Sequence, residues 1–90
     1  MKRPIKIDNS MSQNKHLNFI RIVDDFVSGQ QSISQELLDL SPHLKFIVKS
    51  SNPDQAVVVW EDLRDMLTDL PLEIKTNLNQ ELAIANIEPV

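Results

Sequence analysis

The sequence contains no cysteine and a single glycine, and these scarcities exclude several kinds of protein. Without cysteine the chain can form neither a disulfide framework nor a thiolate nucleophile nor a cysteine-based zinc site. One glycine in 90 residues leaves little for a phosphate-binding loop. Catalytic motifs such as G-x-S-x-G and H-E-x-x-H are also missing. We therefore predict that the protein is not an enzyme and holds no cofactor or metal ion.

Aromatic residues make up only 4% of the chain, and long apolar runs are absent. A chain this short forms one small domain with a marginal core. A core poor in aromatic residues also leaves room for stabilisation by a partner chain. No stretch approaches the roughly 20 apolar residues of a membrane span, and no apolar segment follows the basic N-terminus as it does in a secretory signal. We expect a cytoplasmic protein without a membrane partner.

Charge is distributed unevenly along the sequence, whose formal net charge is −4. Residues 1–49 contain seven basic and five acidic residues, a net charge of +2. Residues 50–90 contain two basic and eight acidic residues, a net charge of −6. Because an acidic half repels a phosphate backbone and no basic face is clustered elsewhere, we do not expect nucleic acid as a partner.

The N-terminal third predicts a tail followed by a helix. Pro4 and the polar cluster at 8–10 indicate a flexible tail over residues 1–11, so that a single helical domain covers 12–88. Phe19, Ile20 and Val23 open an apolar stripe with helical spacing, which predicts a helix over 13–28. Gly29 follows at the position where a left-handed residue commonly ends a helix.

The next segment gives two competing signals. Ser32 and Gln35 resemble a capping box and predict a short helix over about 33–40. We expect this helix to stop near Ser41, because a residue that precedes proline avoids the helical region. After Pro42 the sequence suits either another helix, with the proline in its first turn, or a strand over 45–50 that pairs with residues 55–60.

Residues 53–69 favour a helix over that hairpin. Asn52 is a suitable N-cap, Pro53 suits the first helical position, and Asp54 meets the positive end of the helix dipole. Apolar residues then recur at spacings of four and three. The members of this stripe are Ala56, Trp60, Leu63, Leu67 and Leu70, with Trp60 expected to face inward.

Pro71 breaks the pattern, and a last helix is predicted over 71–86 with Asp69 as its cap. The sequence thus predicts an all-α fold: a small bundle of four short helices, or five if 42–50 forms its own. The alternative is an α+β fold with a β-hairpin at about 45–60.

One candidate binding site emerges on the predicted helix at 53–69. Its acidic residues fall on the face opposite the apolar stripe, beside a valine that either belongs to this face or packs against the 42–50 segment. The candidate partner-binding residues are Val58, Glu61, Asp62, Asp65 and Asp69.

An apolar centre with a charged rim is typical of protein interfaces. We therefore expect a small acidic regulatory protein that binds another protein through a basic surface, as inhibitors, immunity proteins, antitoxins and adaptors do. The alternatives are a structural subunit of a homodimer or larger homo-oligomer, and an acidic mimic of nucleic acid that occupies a basic cleft.

Overall fold

The computed structural model describes residues 3–50 and 52–90, and the side chains of 15–50 and 52–90. These residues form four α-helices and no strand. The helices are α1 (Arg3–Gly29), α2 (Gln35–Ser50), α3 (Pro53–Leu67) and α4 (Leu72–Ile84). The prediction of an all-α bundle is therefore confirmed, and the β-hairpin alternative is wrong for the described residues.

Helix α1 contains the helix predicted over 13–28 and begins earlier, at Arg3. Its predicted apolar stripe is buried, with Phe19, Ile20 and Val23 inaccessible to solvent. Gly29 does not end the helix in the left-handed conformation, because no described glycine has a positive φ. The helix instead closes with a tight turn in which the Gln30 amide donates to the Val27 carbonyl at 3.2 Å.

The predicted flexible tail at 1–11 stays a prediction. Residues 1 and 2 and the side chains of 3–14 lie outside the described part of the chain.

Helix α2 corrects two local predictions. It runs without a break through Pro42, so the predicted stop at Ser41 is wrong. The capping box is also wrong, because the Leu37 amide donates to the hydroxyl oxygen of Ser34 at 3.4 Å rather than to Ser32. Residues on both sides of the proline, Leu37 and Leu44, are buried, and this shared packing explains why one helix forms where the local signals predict two.

Helix α3 begins as the sequence predicts. Asn52 is its N-cap, and the side-chain oxygen of Asn52 accepts a hydrogen bond from the Gln55 amide at 3.3 Å. Pro53 occupies the first turn, where its missing amide hydrogen costs nothing. Ala56, Leu63 and Leu67 of the predicted stripe are buried, whereas the helix ends at Leu67 rather than at 69 and Leu70, beyond it, is half-buried.

Helix α4 is shorter than predicted at both ends. Its N-cap position is Pro71, which makes no side-chain capping bond, so Asp69 does not have the predicted capping role. The helix ends in a Schellman motif: Asn86 has φ 61°, its amide donates to the Ala83 carbonyl, and the Ile87 amide donates to the Leu82 carbonyl. This motif turns residues 87–90 back toward the other helices.

The core forms around α1, which packs most extensively against α2 and α3 and less against α4. Within the described part of the chain, no helix is long and apolar enough to cross a membrane. The buried apolar residues of the core are Phe19, Ile20, Val23, Val27, Ile33, Leu37, Leu44, Ile47, Ala56, Leu63, Leu67, Leu78, Leu82 and Ile87.

Candidate docking surface on the third helix

The outward face of α3 carries four of the five predicted site residues. Val58 is 57% exposed, so its side chain is not part of the core. Glu61, Asp62 and Asp65 are also exposed. Their spacing from Val58 by three, four and seven residues places all of them on one side of a helix. Three carboxylates and an exposed aliphatic side chain therefore share the face of α3 that points away from the core.

Asp69, the fifth candidate residue, is exposed but lies beyond the end of α3, and its part in the site stays a prediction. Helix α3 ends at Leu67, and Asp69 lies in the turn that follows, where its amide donates to the Met66 carbonyl at 3.2 Å. The candidate residues that α3 itself carries are therefore Val58, Glu61, Asp62 and Asp65.

A groove of about 560 Å³ runs beside this face. We call it the acidic groove, and it is lined by Trp60, Glu61, Asp62, Arg64, Asp65 and Glu88.

Glu88 is a groove residue that sequence reasoning missed, because it lies beyond the last helix. The Schellman motif at Asn86 reverses the chain, and hydrogen bonds with Arg64 and Asn79 hold it in place. The Val90 amide donates to the side-chain oxygen of Asn79 at 2.8 Å, and Nη2 of Arg64 donates to the Pro89 carbonyl at 3.2 Å. The only local signal was Asn86 itself, since asparagine tolerates the left-handed conformation that ends many helices.

Trp60 forms the aromatic wall of the groove. The prediction that it faces inward is only half right, because the residue is half-buried and packs against the core from its edge. Its ring meets Phe19 edge to face with 5.7 Å between ring centroids, and His16 at 4.2 Å. The guanidinium carbon of Arg64 lies 5.3 Å from the indole centroid, a cation–π distance.

Around Trp60, three buried nitrogen atoms have no hydrogen-bond partner among the described residues. They are Nδ1 of His16, Nε1 of Trp60 and Nη1 of Arg64. A buried polar atom without a partner costs about 1–3 kcal/mol of stability. Two of the three residues, Trp60 and Arg64, line the acidic groove.

The pKa of His16 is lowered below its ordinary value of 6.5. Burial is the main cause, because it disfavours the charged imidazolium. The Glu61 carboxylate opposes this effect and the Lys15 ammonium adds to it. Burial of the imidazole beside the indole ring of Trp60 therefore favours the neutral form of His16. The ring also lines a smaller cavity of about 180 Å³, together with Lys15, Trp60 and Glu88.

Among the described residues, no group of three or more His, Asp or Glu side chains is placed to hold a metal ion.

Comparisons with protein-family models, with curated proteins and with solved structures find no match to this chain.

Proposed function

We propose that this chain is a small acidic regulatory protein that works by binding another protein, and that the acidic groove together with Val58 is its docking surface. The observation that carries this proposal is the convergence on one groove of Trp60, three carboxylates of α3 and the carboxylate of Glu88. The partner would present a basic surface.

The arrangement has the composition of a protein interface. Interfaces commonly combine an aromatic or aliphatic centre with a polar rim, and tryptophan and arginine are frequent among the residues that contribute most to binding. Here Trp60 and Arg64 form a stacked pair, and Val58 adds exposed apolar surface. Glu61, Asp62, Asp65 and Glu88 supply the rim.

The charge of the chain supports a basic partner. The acidic half carries −6, and the groove concentrates four of its carboxylates. The negative electrostatic potential of these carboxylates should accelerate association with a positively charged surface, and salt should weaken this attraction by screening it. Binding should therefore be fast at low ionic strength and salt-sensitive.

The test is affinity capture from the native host with three forms of the protein. Glu61→Lys with Asp65→Lys reverses charge on the docking surface. Asp25→Lys with Glu81→Lys is the matched control, because it changes the net charge equally at exposed residues that line a different groove, between α1 and α4. We expect the captured partner to be retained by the wild type and by the control and to be lost from the first variant, since like charges would then oppose each other.

The captured protein is then purified and its binding measured directly, with the fluorescence of Trp60, the only tryptophan, as the signal. Val58→Asp should weaken this binding without lowering helicity, because the side chain is exposed and surface changes rarely cost more than about 0.5 kcal/mol. Retention of the partner by Glu61→Lys with Asp65→Lys, together with its loss from the control, would place the docking surface on the α1–α4 groove instead.

A further inference from the structure

A second charged surface, of opposite sign, lies between α1 and α2. Arg21, Lys45 and Lys49 are exposed and line a depression of about 270 Å³. Half-buried Val48 lies among them. We call this set, together with Phe46, the basic surface.

The one acidic residue that lines the same depression is buried. Asp24 is only 5% exposed, and its Oδ1 accepts a hydrogen bond of 2.6 Å from the Ser41 hydroxyl. The Ser41 oxygen also lies 3.3 Å from that of Ser28. The Asp24 carboxylate thus joins α1 to α2, while the exposed charged residues that line the depression are all basic.

The basic surface also has an exposed apolar residue. Phe46 is 64% exposed and precedes Lys49 by three residues on α2, so it lies beside the depression rather than in its lining. The two surfaces of this chain are therefore built alike with opposite signs: an exposed phenylalanine with a cationic rim on one, an exposed valine and a half-buried tryptophan with an anionic rim on the other.

We propose that the basic surface binds the acidic groove of a second copy of this chain. The proposal rests on the docking surface described under the proposed function and names one occupant for it. Arg21, Lys45 and Lys49 of one copy would meet the carboxylates of the other, and Phe46 would be covered against its apolar centre. Complementary potentials of this kind set which surfaces meet and how they are oriented.

Self-association has a consequence for the proposed function. A second copy and the basic partner protein would compete for the same groove. At high protein concentration, the docking surface of each copy would be occupied by another copy. The partner would then have to displace that copy in order to bind.

The experiment is sedimentation velocity on the purified full chain over a range of protein concentrations, at low and at high salt. Two charge reversals are compared: Lys45→Glu with Lys49→Glu, and Glu61→Lys with Asp65→Lys. Each puts like charges on the two surfaces that should meet. We expect the wild type to associate at low salt and to dissociate at high salt, and each variant alone to associate at least about tenfold more weakly.

The decisive sample is the equimolar mixture of the two variants. Each variant then offers the surface that the other one lacks, so the mixture should regain association. The Asp25→Lys with Glu81→Lys control should behave as the wild type, and circular dichroism should show equal helicity in all samples.

Two results would overturn the proposal: a wild type that stays monomeric at millimolar concentration and low salt, or a mixture that associates no better than its components. Neither result touches the capture experiment, which uses the partner protein. A third result would separate the two proposals. If the protein self-associates as expected but the Glu61 and Asp65 changes leave partner capture unaffected, the contact between copies is supported and the proposed partner site is rejected.

Discussion

Replacing Trp60 by alanine should cost less stability than replacing the smaller Leu63. Both residues lie on α3, one turn apart. Leu63 is inaccessible to solvent, whereas Trp60 is half-buried and lines the acidic groove. If side-chain size decided the loss of stability, Trp60→Ala would cost more than Leu63→Ala. We expect the opposite order, because Leu63 is the more deeply buried of the two.

The magnitudes follow from what each truncation leaves behind. Leu63→Ala creates a closed cavity and should cost about 3–4 kcal/mol, within the usual range for buried leucine. Fully buried tryptophan costs about 3–5 kcal/mol, but the space left by Trp60 opens to the groove and can fill with water. The change also removes one unpartnered buried nitrogen. We expect Trp60→Ala to cost about 2 kcal/mol, against a total of roughly 5–13 kcal/mol for a chain of this length.

The assay is urea unfolding followed by far-ultraviolet circular dichroism, because the variant lacks the only tryptophan. Equal dependence of the unfolding free energy on urea in all three proteins would show that the comparison is between two-state transitions. A Trp60→Ala variant less stable than Leu63→Ala would refute the reasoning, because it would mean that the indole is a core residue and not the wall of a groove.

Three further predictions concern the helix ends and His16. Asn86→Ala should lower the unfolding free energy by about 1 kcal/mol, because alanine tolerates the left-handed conformation poorly, whereas Asn86→Gly should at least preserve it; urea unfolding of both tests this. Burial lowers the pKa of His16 in the folded chain, and Glu61 partly opposes this effect. The unfolded chain therefore protonates this imidazole at a higher pH than the folded chain does. The free energy of unfolding should then fall as the pH drops below 6.5 toward the folded pKa. His16→Gln should flatten that dependence in melting curves recorded across the pH range, and an unchanged slope would contradict the assignment. A chain that starts at Met11 should melt within a few degrees of the full protein; a large drop in calorimetry would show that an apolar side chain of the removed segment packs on the core.

Local signals in the sequence predicted those helices whose ends are set by local chemistry. Asn52 and Pro53 cap and start α3 as expected, because these residues act within one turn of the helix they begin. The stripe from Phe19 onward predicted the buried face of α1 for a similar reason. Both predictions depend on patterns among residues close in sequence, and the structure confirms both.

The continuous α2 could not be predicted in this way. Proline in a helix interior costs about 3 kcal/mol, which locally favours two helices. Burial of Leu44 and Ile47, which follow Pro42, contributes about 1.5–3 kcal/mol each. Ser41, expected to end the helix, instead donates a hydrogen bond to Asp24 of α1. These contacts with α1 outweigh the local cost, and they are visible only in the folded chain.

Only part of the proposed docking surface could likewise be predicted from local sequence patterns. The outward face of α3 follows from its helical spacing, and the exposure of Val58, Glu61, Asp62 and Asp65 agrees with it. Glu88 depends instead on a chain reversal and on a bond from Arg64 to Pro89, which are 25 residues apart. The partial exposure of Trp60 could not be predicted either, because the helical spacing of apolar residues assigns the whole side chain to the core.

The C-terminal segment that forms part of the groove is held by core packing and by hydrogen bonds. Ile87 is 4% exposed and belongs to the core, and the next residue is Glu88. Moving Glu88 away from the groove would pull Ile87 into water and break the bonds of Asn79 with Val90. A rim that is ordered before binding loses little conformational entropy when a partner arrives. Core packing of Ile87 therefore holds the backbone at Glu88 beside the groove, and under the proposed function this favours binding by a preformed surface over binding coupled to folding.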